Sequence, residues 1–298
     1  MKWWRLAETL AAMYAGILLA SVVGSRPRCV RAMVRPLRPL LGEDRMGRAA
    51  VLSVLSSSVA MYAARDAVRG TRDVVALLLL MAFPSSIAAA VQFYLPVVAP
   101  LVGPACPVLV AVSTSSALIT TLIGRASRRV RDDGLGPVED LRLVREPVRT
   151  ANLVFLRVGP PVVAVILLFH WCERNRLLDP LVLHLAPLAS WFHLPPASSL
   201  VILGCLANVS VGAVIGAELM DAGRLDWWDA ALSLSLGRAV SLLRIHAQFL
   251  APPAASFFGH AGIAGVAVRT LVESAVNAAL VWVLSLATHP HHHCWTRC

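Results

Sequence analysis

Charge is scarce in this chain, and lysine is almost missing. Of 298 residues only 15% are Asp, Glu, Lys or Arg, well below the roughly 25% of soluble domains. Lys2 is the one lysine. Aromatic residues make up 6%. No GxSxG, HExxH, phosphate-cradling glycine loop or CxxC pair occurs, so the sequence offers no hydrolase, zinc-protease, nucleotide-triphosphatase or dithiol chemistry. The six cysteines (Cys29, Cys106, Cys172, Cys205, Cys294 and Cys298) have no regular spacing and lie mostly in or beside apolar segments. They read as small buried hydrophobes rather than a disulfide framework. On these grounds the chain is not expected to be an enzyme or to hold a cofactor.

What remains is grease. Hydrophobic residues make up 57% of the chain, more than a soluble core of this size can cover. Apolar runs fall at about 6–24, 47–64, 74–101, 104–123, 153–171, 198–219, 227–250 and 261–287. Runs of roughly 17 to 25 apolar residues are transmembrane candidates, so the expected class is an all-α, polytopic helical protein of the cell membrane. The net charge of +10 would point to nucleic acid in a soluble protein. Here the arginines lie mainly between apolar runs, which fits loops held by the inside-positive rule and anionic lipid, so no nucleic-acid partner is expected. The N-terminus has the outline of a signal peptide, but an apolar remainder favours a retained first helix anchored by Trp3, Trp4 and Arg5. Arg28, Arg31, Arg35 and Arg38 recur at helical spacing, as in a helix lying on the membrane plane, or else in an ordinary basic loop.

Two halves resemble each other. Pro36 and Leu37 fall over Pro187 and Leu188, Gly70 and Asp73 over Gly223 and Asp226, and Gln92, Pro96 and Gly103 over Gln248, Pro252 and Gly259. The order is kept at a nearly constant offset. The expected division is a first membrane repeat (1–123), a charged linker (124–150), a second repeat (151–287) and a polar tail (288–298), with the repeats inverted. Asp73 and Asp226 occupy expected helix N-cap positions. Pro84 should bend the helix around it, with Ser85 and Ser86 satisfying freed backbone groups, and Gly237 is the expected counterpart of that break.

The stretch "SSSVAMYAARDAVRGTRDVVALLLLMAFPSS" followed by "YLPVVAPLVG", echoed by "ANVSVGAVIGAELMDAGRLDWWDAALSLSLG" followed by "APPAASFFG", resembles the nucleoside-recognition, or Gate-domain, family of membrane proteins. The resemblance spans about residues 8–287. The family often carries Ser-Pro before the turn, whereas "SSSV" and "NVSV" have no proline. The resemblance implies two Gate-like repeats and transport of a small polar solute, nucleoside-like or an ion. Its kinship with spore maturation proteins implies the alternative, a non-transporting scaffold or accessory subunit. A homo-oligomer or a membrane partner is compatible with either.

The candidate solute path is built from polar residues in apolar runs. Arg269, Glu273 and Asn277 recur every four residues and form one stripe. A charge at the bilayer centre costs about 2.5–3.5 kcal/mol even on the lenient insertion scale, so the stripe must face inward. It either lines a path or fixes packing through an Arg269–Glu273 pair. Ser57, Asn208 and Ser210 would bind a hydroxyl or base edge, or glue helices together. Arg238 interrupts another apolar run, with Glu218, Asp221 and Glu273 as potential partners. It either snorkels to the surface or helps form a cationic pocket. His291, His293, Cys294 and Cys298 in the tail are weak metal-ligand candidates, set against an idle polar tail.

Overall fold

In a computed structural model, the chain is described over residues 35–42, 45–54, 57–127 and 189–288 and at single positions within 10–22 and 146–187. Every regular element among these is helical. A 3-10 turn, Arg35–Leu37, leads into α1 (Arg38–Leu41). The hairpin α2 (Arg45–Val51) and α3 (Ser57–Ala64) follows. Next come α4 (Thr71–Leu80), α5 (Ala82–Ala89), a π-helical stretch (Ala90–Val98) and α6 (Ala99–Val102), stacked end to end, and then α7 (Ala105–Ser127). The second half has α8 (Ser198–Ala207), α9 (Val209–Asp221), α10 (Trp227–Phe249) and α11 (Ala251–Thr288).

Three helical stretches among the described residues are long and apolar enough to cross a bilayer: Thr71–Val102, Ala105–Ser127 and Ala251–Thr288. Helix α10 matches α7 in length, at 23 residues. It carries Asp229, Arg238 and Arg244, and every residue from Asp229 to Ala239 is buried. The others enclose it and present Leu122, Ile263, Leu271 and Val283 outward, the pattern of a helix bundle with a lipid-facing rim.

Contacts fix the direction of each helix. Arg72 Nε donates to the Ser127 carbonyl, and Arg125 Nη1 donates to those of Pro39 and Leu40. The start of α4 and the end of α7 therefore share one end of the bundle, crowded with arginine. A Cβ on Gly265 would touch Leu78 and Val74, so α11 begins at this arginine end. At the opposite end Trp228 Nε1 donates to Thr288 Oγ1, joining the start of α10 to the finish of α11. Helix α10 thus runs opposite to α4, and α11 opposite to α7.

The apolar run 198–219, expected as a single span, is instead a hairpin. Asn208 is extended (φ −167°, ψ 146°), and its Oδ1 accepts from the Ser210 backbone N–H. Gly204 and Gly212 bring the two arms together, since a Cβ on Gly212 would run into Cys205 Sγ and lie 2.9 Å from the Val201 carbonyl. Arms of 10 and 13 residues rise only about 15 and 20 Å, short of the roughly 30 Å hydrocarbon core. The amide side chain makes the break with no proline in the turn. The first hairpin, α2–α3, enters from the arginine end and Ser53 reaches in to donate to the Met81 carbonyl.

Helices α4 and α5 part at Met81. Pro84 has no N–H, so the Leu80 carbonyl loses its helical donor. Thr121 Oγ1 accepts from the Phe83 N–H at 3.0 Å and lies 3.3 and 3.4 Å from the Leu79 and Leu80 carbonyls. Ser85 Oγ donates to the Met81 carbonyl, and Ser86 Oγ reaches the Ser113 carbonyl at 3.4 Å. The helix is interrupted just before Pro84, as expected, but the serines do not mend it: the Met81 carbonyl already accepts the Ser85 N–H, the Ser113 carbonyl belongs to α7, and the group beside the freed Leu80 carbonyl is Thr121.

Other expectations need correction. Gly237 does not break α10, which runs through it. Its missing side chain admits Cys205 and Ile202 of α8. Asp226 is an N-cap and accepts from the Asp229 N–H at 2.7 Å. Asp73, however, lies inside the first turn of α4, where Gly70 is the N-cap, and accepts from the Arg69 N–H. The linker cannot begin at 124, because α7 continues to Ser127 with Gly124 wedged against Leu79, Leu80 and Ala76. The last apolar helix starts at Ala251 and kinks at Gly259 (φ 59°, ψ −138°). Gly103, between α6 and α7, takes a similar conformation (φ 51°, ψ −119°), a left-handed backbone that favours glycine. Leu37 is buried in the protein core beside Leu41 and Met46, and Arg35 is exposed. The rest of the arginine stripe before it, most of the N-terminal run, most of the linker and the His/Cys tail lie outside the described residues.

Candidate functional site

The stripe on α11 faces inward as its cost demands. Arg269, Glu273 and Asn277 are 3%, 1% and 0% exposed, while Leu271 between them is 71% exposed. One helix supplies both faces because residues four apart share a side and residues two apart do not.

Glu273 is the centre. Arg238 of α10 donates from Nη2 to its Oε1 at 3.1 Å, and Arg269 lies against Oε2 with Nε at 3.5 Å. The stripe residue was the expected partner, yet the shorter contact comes from the other helix. Each arginine is held at a second point. Arg238 Nε donates to Tyr94 Oη at 2.6 Å, from the π-helical stretch. Arg269 Nη2 donates to Ser85 Oγ at 2.8 Å. The hydroxyl that follows Pro84 therefore both bonds back to the Met81 carbonyl and anchors a guanidinium.

His246 completes the group. Thr270 gives its hydroxyl proton to the Val266 carbonyl, so it accepts from His246 Nδ1–H at 2.9 Å. The imidazole Nε2 then faces Glu273 Oε2 at 3.9 Å. One turn along α11, Asn277 Nδ2 lies 3.4 Å from Ser116 Oγ of α7. Ser113, also on α7, is fully buried.

The cluster joins α5, the π-helical stretch, α7, α10 and α11, at mid-height in helices that cross the whole bundle. Four of the eight sequence candidates meet here: Arg238, Arg269, Glu273 and Asn277. Asn208 and Ser210 instead shape the tip of the second hairpin and make no hydrogen bond to the cluster. They approach it indirectly, since Cys205 of the same tip packs on Gly237, beside Arg238. Ser57 is half-buried at the start of α3, and Glu218 is half-buried near the outer end of α9. Arg244 reaches Gln248 at 3.3 Å, outside the cluster. Tyr94 escaped sequence reasoning; the available signal was a tyrosine, one of three in the chain, inside an apolar run. Cys106 and Cys205 are buried free thiols, as expected of small core residues. Among the described residues no group of His, Cys, Asp and Glu is arranged to hold a metal; the tail candidates His291, His293, Cys294 and Cys298 lie outside them.

Two guanidiniums against one carboxylate leave an excess of positive charge, because arginine does not deprotonate in proteins. Four polar atoms here are buried with no hydrogen-bond partner: Arg238 Nη1, Arg269 Nη1, Asn277 Oδ1 and Ser113 Oγ. Such groups cost about 1–3 kcal/mol each, more when charged, and call for a reason.

Comparison of the chain with protein-family models, with curated proteins and with solved structures finds no match.

Proposed function

From this helical membrane architecture, in which two short hairpins and a bent span surround a buried charged cluster, we propose that the protein is a permease. It would carry a small polar solute across the cell membrane between two inverted repeats. The observation that carries the reading is the Arg238–Glu273–Arg269 cluster, buried at mid-height of the helix bundle with polar atoms left open. Intramembrane ionisable residues are by default functional, since their insertion is costly. A span interrupted before Pro84 and a hairpin broken at Asn208, both packed beside the cluster, are the kind of broken helix that lines a midplane solute site.

Three features support the repeat. Gly103 and Gly259, aligned in sequence, share a left-handed backbone. Helices α4 and α10 run in opposite directions, as do α7 and α11. The first hairpin reaches Met81 and the second reaches Gly237, each the eleventh residue of the stretch it meets, counting from Thr71 and Trp227. Rocking of one repeat against the other would open the cluster to alternate sides. The resemblance to the Gate-domain family points to nucleoside-like solutes or an ion.

The scaffold reading draws on one observation: Glu273 finds all its partners within the protein. Uptake separates the two. Purified protein in liposomes should accumulate one class among labelled nucleosides, organic anions and divalent cations, and Glu273→Gln should abolish that uptake while the protein still elutes as a folded species. Folded wild-type protein that accumulates none of these classes would favour the scaffold.

A further inference from the structure

Resting on the permease reading, we infer that the cluster takes a small monovalent hydroxycarboxylate. The charge sets the first requirement. Arg238 and Arg269 are 4% and 3% exposed and share the single carboxylate of Glu273. A monoanion neutralises the remaining positive charge, whereas a cation would add to it and a neutral nucleoside would leave it unbalanced.

Hydrogen bonding sets the second. Each guanidinium uses Nε and Nη2 on protein atoms and leaves Nη1 with no acceptor. Two open Nη1 groups, one on each arginine, offer directed N–H donors that suit the separate oxygens of a carboxylate better than a spherical halide. The third requirement comes from Asn277. Its Nδ2 is turned to Ser116, and its Oδ1 is a buried acceptor with no donor. An anion alone cannot satisfy it, but a hydroxyl on the same molecule can. Glu273 and Asn277 stand one turn apart, roughly 6 Å along the helix, a span suited to a molecule of a few carbons. Ser113 Oγ, also open, adds a group that can give or accept. Glu273 then keeps the two arginines apart and lowers affinity enough for release.

The test is a thermal-shift series on the full-length protein in detergent, with sodium lactate, sodium acetate and sodium chloride at matched ionic strength, and with uridine and choline. Labelled lactate uptake into liposomes is followed in parallel. Lactate should raise Tm in a saturable way, beyond acetate and chloride. In Glu273→Gln, which removes the competing anion, half the effect should need about tenfold less lactate. Asn277→Leu should erase the preference for lactate over acetate. Arg238→Lys, which keeps the charge but loses the open Nη1 donor, should weaken the shift if Arg238→Gln fails to fold.

Lactate binding without uptake would keep the anion site and overturn the permease. Uridine or choline stabilising and entering, with no carboxylate effect, would overturn the anion inference and keep the permease. Equal shifts with chloride and lactate would overturn the carboxylate class. No shift and no uptake with any compound would overturn both readings.

Discussion

Arg238 and Arg269 reach one carboxylate from two different helices, and each is pinned at a second point by a hydroxyl, Tyr94 Oη or Ser85 Oγ. Charges this deep are held by geometry. Removing one partner of a buried ion pair leaves the others uncompensated and costs about 3–5 kcal/mol. Glu273→Ala, which strands two guanidiniums, is therefore expected to lower the melting temperature far more than Arg244→Ala, whose side chain meets only Gln248. Differential scanning fluorimetry in detergent compares them directly, and equal losses would count against the cluster as the electrostatic centre. Thr121 is a second residue whose single hydroxyl serves several backbone groups. Thr121→Val keeps the shape and strands the Phe83 N–H, so a loss of about 1–3 kcal/mol is expected, read in the same assay. Pro84→Ala restores a backbone donor for the Leu80 carbonyl. It should offset part of that loss in the double variant.

At the scale of elements, the second hairpin depends on two glycines facing each other across its arms. Gly212→Val places atoms on Cys205 Sγ and on the Val201 backbone. Overpacking of this sort costs about 1–3 kcal/mol, and since backbone cannot yield as a side-chain tip can, the arms must separate. Increased protease cleavage near Asn208, with the three long stretches intact, is the expected sign. The hairpin places non-helical backbone within the bundle, where it needs cover from protein. Asn208 gives the local cap and α10 gives the cover. The π-helical stretch Ala90–Val98 contains Pro96 and carries Tyr94 into the core. Widened turns of this kind are frequent at functional sites, and here the widening sets the tyrosine against Arg238.

For the whole molecule, the polarity of charge gives a testable orientation. One end gathers Arg65, Arg69, Arg72 and Arg125, which are all exposed, and the other presents Asp221, Arg224 and Asp226. By the inside-positive rule the first end is expected on the cytoplasmic side. In a cysteine-free background, Arg69→Cys should be blocked by a membrane-impermeant maleimide only after the membrane is opened, and Ala222→Cys should be blocked in intact cells. The reverse pattern would invert the assignment, and equal labelling of both would argue for a mixed population.

Composition and spacing alone determined the helical membrane class, the inward turn of Arg269, Glu273 and Asn277, the bend at Pro84 and the cap at Asp226. Each follows from a local or one-dimensional rule: the cost of charge in hydrocarbon, the helical period, the missing proline N–H, a carboxylate at a helix start. Tertiary structure decided the rest. An apolar run of 22 residues (198–219) looks the same as a span or as a hairpin, and only the approach of Gly204 to Gly212 across Asn208 shows which. Gly237 reads as a hinge in sequence, yet it is a contact surface, because the neighbour it admits lies on α8. Arg238 could have met Glu218, Asp221 or Glu273. The antiparallel course of α10 and α11 brought it to Glu273, and no spacing within one helix encodes a meeting between two.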